Sequence, residues 1–347
     1  MSLGPLMIDL RGKAIDAEER EWLRSPLVGG VILFTRNFEN LEQLRSLVEE
    51  IHAVREPALL VTVDHEGGRV QRFREPFYRL PPMRTLGHLY DEDSAAALRA
   101  AAAFGWLMAA ELRAVGVDMS FAPVVDLDLG FSEVIGDRAL HEDARAVSAL
   151  ARRFAVGAKR AGMAITAKHF PTHAGAISDS HNEFAVDRRG LDEIAADLRP
   201  YRDLIEDALP AVMVAHVCFP AVDARPASLS RRWIGEELRG RLGFTGAVIT
   251  DDVSMAGAAV VGPTEERVRL ALDAGCDLVL LCNAPSEVPA VLDSLEGYVN
   301  PSAQLRLSRL HGRGIYDWEK LHASAAWQRA TDALEPLCAR PDLELEG

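Results

Sequence analysis

Eight short apolar runs punctuate the chain: Leu6–Leu10, Val28–Phe34, Ala58–Val63, Met119–Val125, Met163–Ala167, Ala211–Val217, Ala247–Thr250 and Leu278–Cys282. Several are apolar throughout rather than alternating, the pattern of parallel strands covered on both faces. Each is followed by polar or glycine-rich text and then by helical periodicity. Leu41, Leu44, Val48 and Ile51 share one helical face, with Asn40 as N-cap and Gln43 three residues later. Phe104, Leu107, Met108, Leu112 and Val115 mark a longer helix. Thr264 is expected to cap a helix over Glu265–Ala274, with Gly275 at the left-handed C′ position.

Eight strand–helix units predict an α/β fold, a single (β/α)8 TIM-type barrel. The barrel is expected over about residues 5–300, with a helical tail over about 301–347 packed on it, so that 1–347 forms one catalytic domain. A doubly wound open sheet is the alternative; no G-x-G-x-x-G follows the first run, which weakens a dinucleotide-binding reading.

Barrel enzymes keep their chemistry at the C-terminal ends of the strands. The third run ends in Asp64-His65-Glu66-Gly67-Gly68-Arg69, with Arg72 following, and the fourth leads to Asp126, Asp128 and Gly136-Asp137-Arg138. The fifth ends in Lys168-His169, the sixth in His216, the seventh in Asp251-Asp252. Neighbouring strand residues point to opposite faces, so one of the two aspartates is expected at the barrel mouth and the other at a helix cap or beside a cation. A strand-end carboxylate nucleophile and a loop-borne Asp/His pair, Asp179-Ser180-His181, suit displacement at a sugar carbon. An aspartate two residues from a histidine can fix its tautomer and raise its pKa, as a general acid/base requires; the same pair can also simply stabilise a turn. His169 and His173 have the spacing of a helical metal pair, but Pro171 lies between them and a strand precedes them, so no metal site is expected. Lys168 at a strand end has two readings, a Schiff-base nucleophile of an aldolase or a protonated hydrogen-bond donor, and the surrounding charges favour the second.

Composition narrows the partners. Apolar residues make up 48% of the 347 and charged residues 26%, an ordinary soluble balance. Asp and Glu total 52 against 38 Lys and Arg, a formal charge of −14 without a compact basic run, which disfavours nucleic acid and anionic membrane. The cysteines, Cys218, Cys276, Cys282 and Cys338, form no C-x-x-C pair and read as free thiols of a reducing compartment. No secretory segment and no apolar run of spanning length is read from the text, so a cytoplasmic location is expected. A small-molecule partner is expected; oligomeric state is undetermined, with a monomer favoured.

Four motifs taken together resemble glycoside hydrolase family 3: Asp64-His65-Glu66-Gly67-Gly68-Arg69-Val70-Gln71-Arg72, Lys168-His169-Phe170-Pro171, Asp179-Ser180-His181 and Thr250-Asp251-Asp252-Val253-Ser254-Met255. More narrowly the chain is similar to the family's single-domain bacterial β-N-acetylglucosaminidases of cell-wall recycling. The resemblance implies a metal- and cofactor-free barrel that releases N-acetylglucosamine from muropeptides with retention of configuration. It implies Asp251 as nucleophile, His181 as acid/base assisted by Asp179, and Asp64, Arg72, Arg138, Lys168 and His169 as sugar-binding residues. The sequence departs from the family's pattern where Thr172-His173-Ala174 replaces Gly-His-Gly, where His65 replaces Gln, and where Asp137 replaces Glu. Phosphorolysis on the same scaffold, a Lys168 aldolase and a non-catalytic sugar-binding barrel are the competing functions.

Overall fold

The computed structural model describes residues 3–130, 132, 134–176, 185–259, 261–314 and 316–338. All eight apolar runs contribute strands: β1 (Leu6–Asp9), β2 (Val28–Leu33), β3 (Leu60–Val63), β4 (Met119–Ser120), β5 (Thr166–Phe170), β6 (Ala211–Val214), β7 (Ala247–Asp252) and β8 (Leu278–Leu281). They form one parallel sheet in the order β4-β3-β2-β1-β8-β7-β6-β5. Isolated parallel bridges Met119↔Ala164 and Val124↔Lys168 bring the two edges together, so the sheet is a nearly closed barrel.

The uninterrupted apolarity of the strands follows from burial on both faces. Met7, Ile32, Met119, Met213, Ile249 and Leu280 point into the barrel and pack with Phe121 and Cys282. Their alternates Ile8, Val31, Val61, Val212, Val248 and Val279 pack outward against the helices. Leu307 and Leu310 belong to the inner cluster and close its N-terminal end.

The local signals hold with two corrections. Asn40 caps the helix Leu41–Ala53 by accepting from Gln43 N, and Gly275 takes the left-handed position at φ +113°. Thr264 is not the cap: Pro263, extended at φ −67°, holds that place, and Thr264 is the first helical residue, buried at its start. The 21-residue helix Ser94–Ala114 is long and apolar enough to cross a membrane by length and composition, which the count of unbroken apolar residues missed. Here it packs against Ala144–Arg160 and against the C-terminal helix Ala325–Cys338. Glu111, buried on it, accepts from Tyr78 N (2.9 Å), His322 Nε2 (3.0 Å) and Trp327 Nε1 (2.9 Å), tying the tail to the loop after β3. All four cysteines are free thiols, three of them buried.

Candidate active site

Beyond β3 the chain folds into a small antiparallel hairpin, His65–Gly67 against Val70–Gln71. Gly67 permits its turn, with φ +100° and a position where a Cβ would lie 2.6 Å from Pro81 O. This hairpin sets Asp64 and Arg72 on one side of a cavity of about 670 Å³ at the C-terminal ends of the strands. Arg138, Lys168 and His169 line the same cavity, and so do Asp251 and Asp252. Of the eight residues singled out as site candidates, six (Asp64, Arg72, Arg138, Lys168, His169 and Asp251) therefore meet in one place. Asp179 and His181 lie outside the described residues.

The cavity wall is a buried charge network. Lys168, 2% exposed, donates to Asp64 Oδ1 at 2.8 Å and pairs with Glu66 Oε1 at 2.5 Å. Burial would lower the pKa of its ammonium, but Asp64 and Glu66 outweigh that and hold it above the ordinary lysine value. A lysine so held is charged at neutral pH, which disfavours the Schiff-base reading. Glu66 also accepts both arms of Arg138, each at 2.8 Å. Burial opposes its ionisation, yet Arg138 and Lys168 pull its pKa well below the carboxylate range, so Glu66 is no proton donor at neutral pH. Asp64 is likewise held low against burial, by Lys168 and Arg72. The Arg72 guanidinium lies over the Phe34 ring at 5.4 Å, and its Nε has no partner among the described residues.

His169 is oriented from behind. Asp126, at the end of the β4 segment, accepts from His169 Nδ1 at 2.8 Å, from His169 N at 3.1 Å and from His173 N at 2.7 Å. With the proton on Nδ1, Nε2 is left as the acceptor for Arg138 Nη2 at 3.4 Å. His173 is not in the cavity wall. Burial, with His169 nearby, pushes its pKa down to about 4, so the ring is neutral and a poor acid. Lys168 and His169, adjacent on one strand, both reach the cavity; the peptide bond between them is cis.

Asp251 and Asp252 both belong to β7, whose register against β8 shifts between Ile249 and Asp252. Only one was expected at the mouth, yet both line the cavity. Their carboxylates nonetheless differ. Asp252 accepts from Ser254 N (3.0 Å), Ser254 Oγ (2.7 Å) and Cys282 N (3.0 Å), which stitches the ends of β7 and β8 and involves no cation among the described residues. Burial pushes its pKa up to about 6 in spite of these donors. Asp251 Oδ1 accepts from Asp252 N at 2.9 Å. His216, fully buried, donates through Nε2 to Asp252 O at 2.9 Å and meets Ser228 Oγ through Nδ1 at 2.6 Å, fixing the next peptide along.

The departures in the loop after β5 have local structural uses. Thr172 Oγ donates to the buried Asp197 at 2.7 Å and accepts from Ala174 N at 3.0 Å. Arg189 joins Asp197 (3.1 Å) to Asp187 (2.6 Å). Gly175 sits against this pair: a Cβ there would lie 2.5 Å from Asp187 Oδ2. Both flanks of residues 177–184 are thus anchored, since Ala176 and Ala185 are buried and Cys218 N donates to Ala185 O at 3.0 Å.

The sequence marks Asp126 and Glu66 as polar strand-end residues but not as supports of the cavity-lining side chains, and it does not mark the apolar floor of Phe34, Phe121 and Met213. Polar residue type at a strand end is the signal for the first two. A second cleft, of about 520 Å³, lies at the opposite end of the barrel around Leu3–Pro5 and Tyr298–Gln304. Its buried carboxylate, Asp277, is already matched by Arg239 and Arg306, each at 2.8 Å.

A (β/α)8 barrel whose strand ends carry a carboxylate opposite a fan of hydrogen-bonding cations has the build of a glycoside-cleaving enzyme. Residues 5–309 match the glycosyl hydrolase family 3 N-terminal domain, and the chain belongs to that family. It is 52% identical to a beta-hexosaminidase of Alkalilimnicola ehrlichii over the full length of both chains. It is 54% identical to that of Thiobacillus denitrificans, covering 90% of this chain and 87% of the relative. Among solved structures, NagZ from Neisseria gonorrhoeae in complex with N-trifluoroacetyl-D-glucosamine superposes with a TM-score of 0.92 at 41% identity, over 98% of this chain and 99% of that one. A family 3 β-N-acetylglucosaminidase from Paenibacillus superposes at 0.82 with 28% identity, over 95% and 67%. The enzyme is a glycoside hydrolase of the β-hexosaminidase type.

Proposed function

We propose that this enzyme is a retaining exo-β-N-acetylglucosaminidase that releases N-acetylglucosamine from peptidoglycan fragments in the cytoplasm. The observation that carries the reading is the single strand-end cavity in which Asp251 shares walls with Asp64, Arg72, Arg138, Lys168 and His169. A terminal sugar seated there presents its hydroxyls to those five side chains and its anomeric carbon to Asp251. Asp251 attacks that carbon as the glycosidic C–O bond breaks, and the departing oxygen takes a proton from His181. The glycosyl ester on Asp251 is then hydrolysed by water that gives its proton back to His181, with Asp179 orienting the imidazole. The roles of His181 and Asp179 rest on the family resemblance of the Asp179-Ser180-His181 motif. That a 41%-identical NagZ binds an N-acylglucosamine supports the same sugar here.

The test is turnover of an aryl β-N-acetylglucosaminide beside the aryl β-glucoside, with and without inorganic phosphate. Preference for the acetamido sugar and release of free sugar are expected. Sugar 1-phosphate as the product, or turnover that requires phosphate, would assign phosphorolysis instead.

A further inference from the structure

We infer that Glu66 is a positioning residue for sugar recognition, a buried anion that sets Arg138 and Lys168 as one unit for the terminal sugar. The inference rests on the reading above, in which those two side chains bind the sugar. Glu66 is 1% exposed and is absent from the cavity wall, so it does not touch the ligand. It lies directly behind the wall, on the first strand of the hairpin that also follows Asp64.

Its carboxylate joins three elements: the hairpin, the segment after β4, and β5. Oε2 accepts Arg138 Nε at 2.8 Å, and Oε1 accepts both Arg138 Nη2 at 2.8 Å and Lys168 Nζ at 2.5 Å. The fork of the guanidinium is therefore filled in bidentate fashion, which fixes its plane as a single contact would not. Arg138 comes from the segment after β4 and Lys168 from β5, so neither backbone alone determines their separation. Two neighbouring cations repel each other, and the shared Oε1 is what lets them sit side by side. Asp64 takes a second proton of the ammonium at 2.8 Å, leaving a third directed by the first two. Arg138 in turn reaches His169 Nε2, so the orientation set by Glu66 extends to a further residue of the wall.

The consequence is a coupling. If Glu66 orients the donors, removing its charge should weaken the enzyme only where the sugar has hydroxyls for those donors. The experiment compares kcat/KM for an aryl β-N-acetylglucosaminide and for its 3-, 4- and 6-deoxy analogues, in the wild type and in Glu66→Gln, Glu66→Asp, Lys168→Met and Arg138→Met. A hydrogen bond to a charged group is worth roughly tenfold or more. In the wild type, deoxygenation at the contacted position should cost about that factor, and Lys168→Met or Arg138→Met should abolish the penalty. Glu66→Gln should lower kcat/KM for the parent sugar at least tenfold, mainly through KM, and shrink the deoxygenation penalty to about threefold or less. Glu66→Asp keeps the charge and shortens the reach, and should fall between the two; it carries the test if the glutamine variant does not fold.

Loss of the penalty in the lysine and arginine variants but a full wild-type penalty in both Glu66 variants would overturn the inference and reduce Glu66 to a structural ion pair. A full penalty in the lysine and arginine variants as well would overturn the sugar-binding reading itself.

Discussion

His65 offers a test of the buried geometry behind the site that does not depend on catalysis. It is 1% exposed, lies 5.9 Å from the rings of both Phe73 and Phe77, and its Nδ1 has no hydrogen-bond partner among the described residues. Burial first, then the charges of Arg74 and Arg72, push its pKa down to about 3. The folded protein therefore leaves this ring neutral, whereas the unfolded chain protonates it below its ordinary value of about 6.5. Because the folded pKa is depressed, the unfolded state binds more protons, and stability falls as pH drops from about 6.5 towards the folded value. Between pH 7.5 and pH 5.0 the linkage amounts to about 2 kcal/mol, almost all of it set by protonation of the unfolded histidine. The perturbation is His65→Gln, which removes the titrating group. Urea unfolding can be followed by tryptophan fluorescence, since Trp318 packs edge-on against Phe77 at 4.9 Å. The wild type should lose about 2 kcal/mol more than the variant on going from pH 7.5 to pH 5.0. His173 and the low-pKa carboxylates Asp64, Glu66 and Asp126 titrate in both proteins and cancel in the comparison. Equal losses in the two proteins would refute the buried, neutral placement of this ring.

Gly175→Ala places a methyl 2.5 Å from Asp187 Oδ2 and should displace the Asp187–Arg189 pair. A loss of about 1–3 kcal/mol in stability is expected, with a fall in kcat beyond it; unchanged kcat in the purified variant would show that this pair does not control the loop. His181→Ala should slow an alkyl or disaccharide substrate by roughly 10²–10⁴-fold and a dinitrophenyl glycoside far less, because a good leaving group needs no proton. Azide should then accelerate the activated substrate by intercepting the glycosyl-enzyme; equal slowing of all substrates with no azide effect points to another proton donor. EDTA should leave activity unchanged, and loss on chelation with recovery on adding zinc would contradict the metal-free chemistry proposed here.

The barrel was legible because strands buried on both faces leave long apolar runs, and all eight runs are strands. Their ends were less legible. β5 was expected over Met163–Ala167, but the ladder runs Thr166–Phe170, because Lys168 and His169 are polar yet buried and end an apolar run while continuing a strand. β4 keeps only Met119–Ser120 of its run as a regular ladder; Pro123 lacks a backbone donor, and beyond it the contact with β5 continues through the Val124–Lys168 bridge and the bond from Val125 N to Lys168 O at 2.8 Å. Strand-end position alone brought Asp64, Lys168, His169 and Asp251 to notice. It could not separate residues that face a ligand from those that hold them, since Glu66 and Asp126 differ from Asp64 and Asp251 only in the direction their side chains take from neighbouring positions. The split between Asp251 and Asp252 was hidden for a related reason. It depends on a register shift against β8 and on the donors Ser254 and Cys282, which are tertiary facts. The histidine pair His169 and His173 shows the converse: a metal-like spacing in sequence becomes, in the fold, two residues addressing one carboxylate, Asp126.

In the proposed mechanism Asp251 becomes covalently bonded to the sugar. Incubation with a 5-fluoro N-acetylglucosaminyl fluoride, which slows hydrolysis of the intermediate more than its formation, followed by proteolysis and peptide mass spectrometry, tests it most directly. One equivalent of label on Asp251, time-dependent inactivation, and no labelling in Asp251→Ala are expected. Label on Asp252, or full turnover by Asp251→Ala, would contradict it.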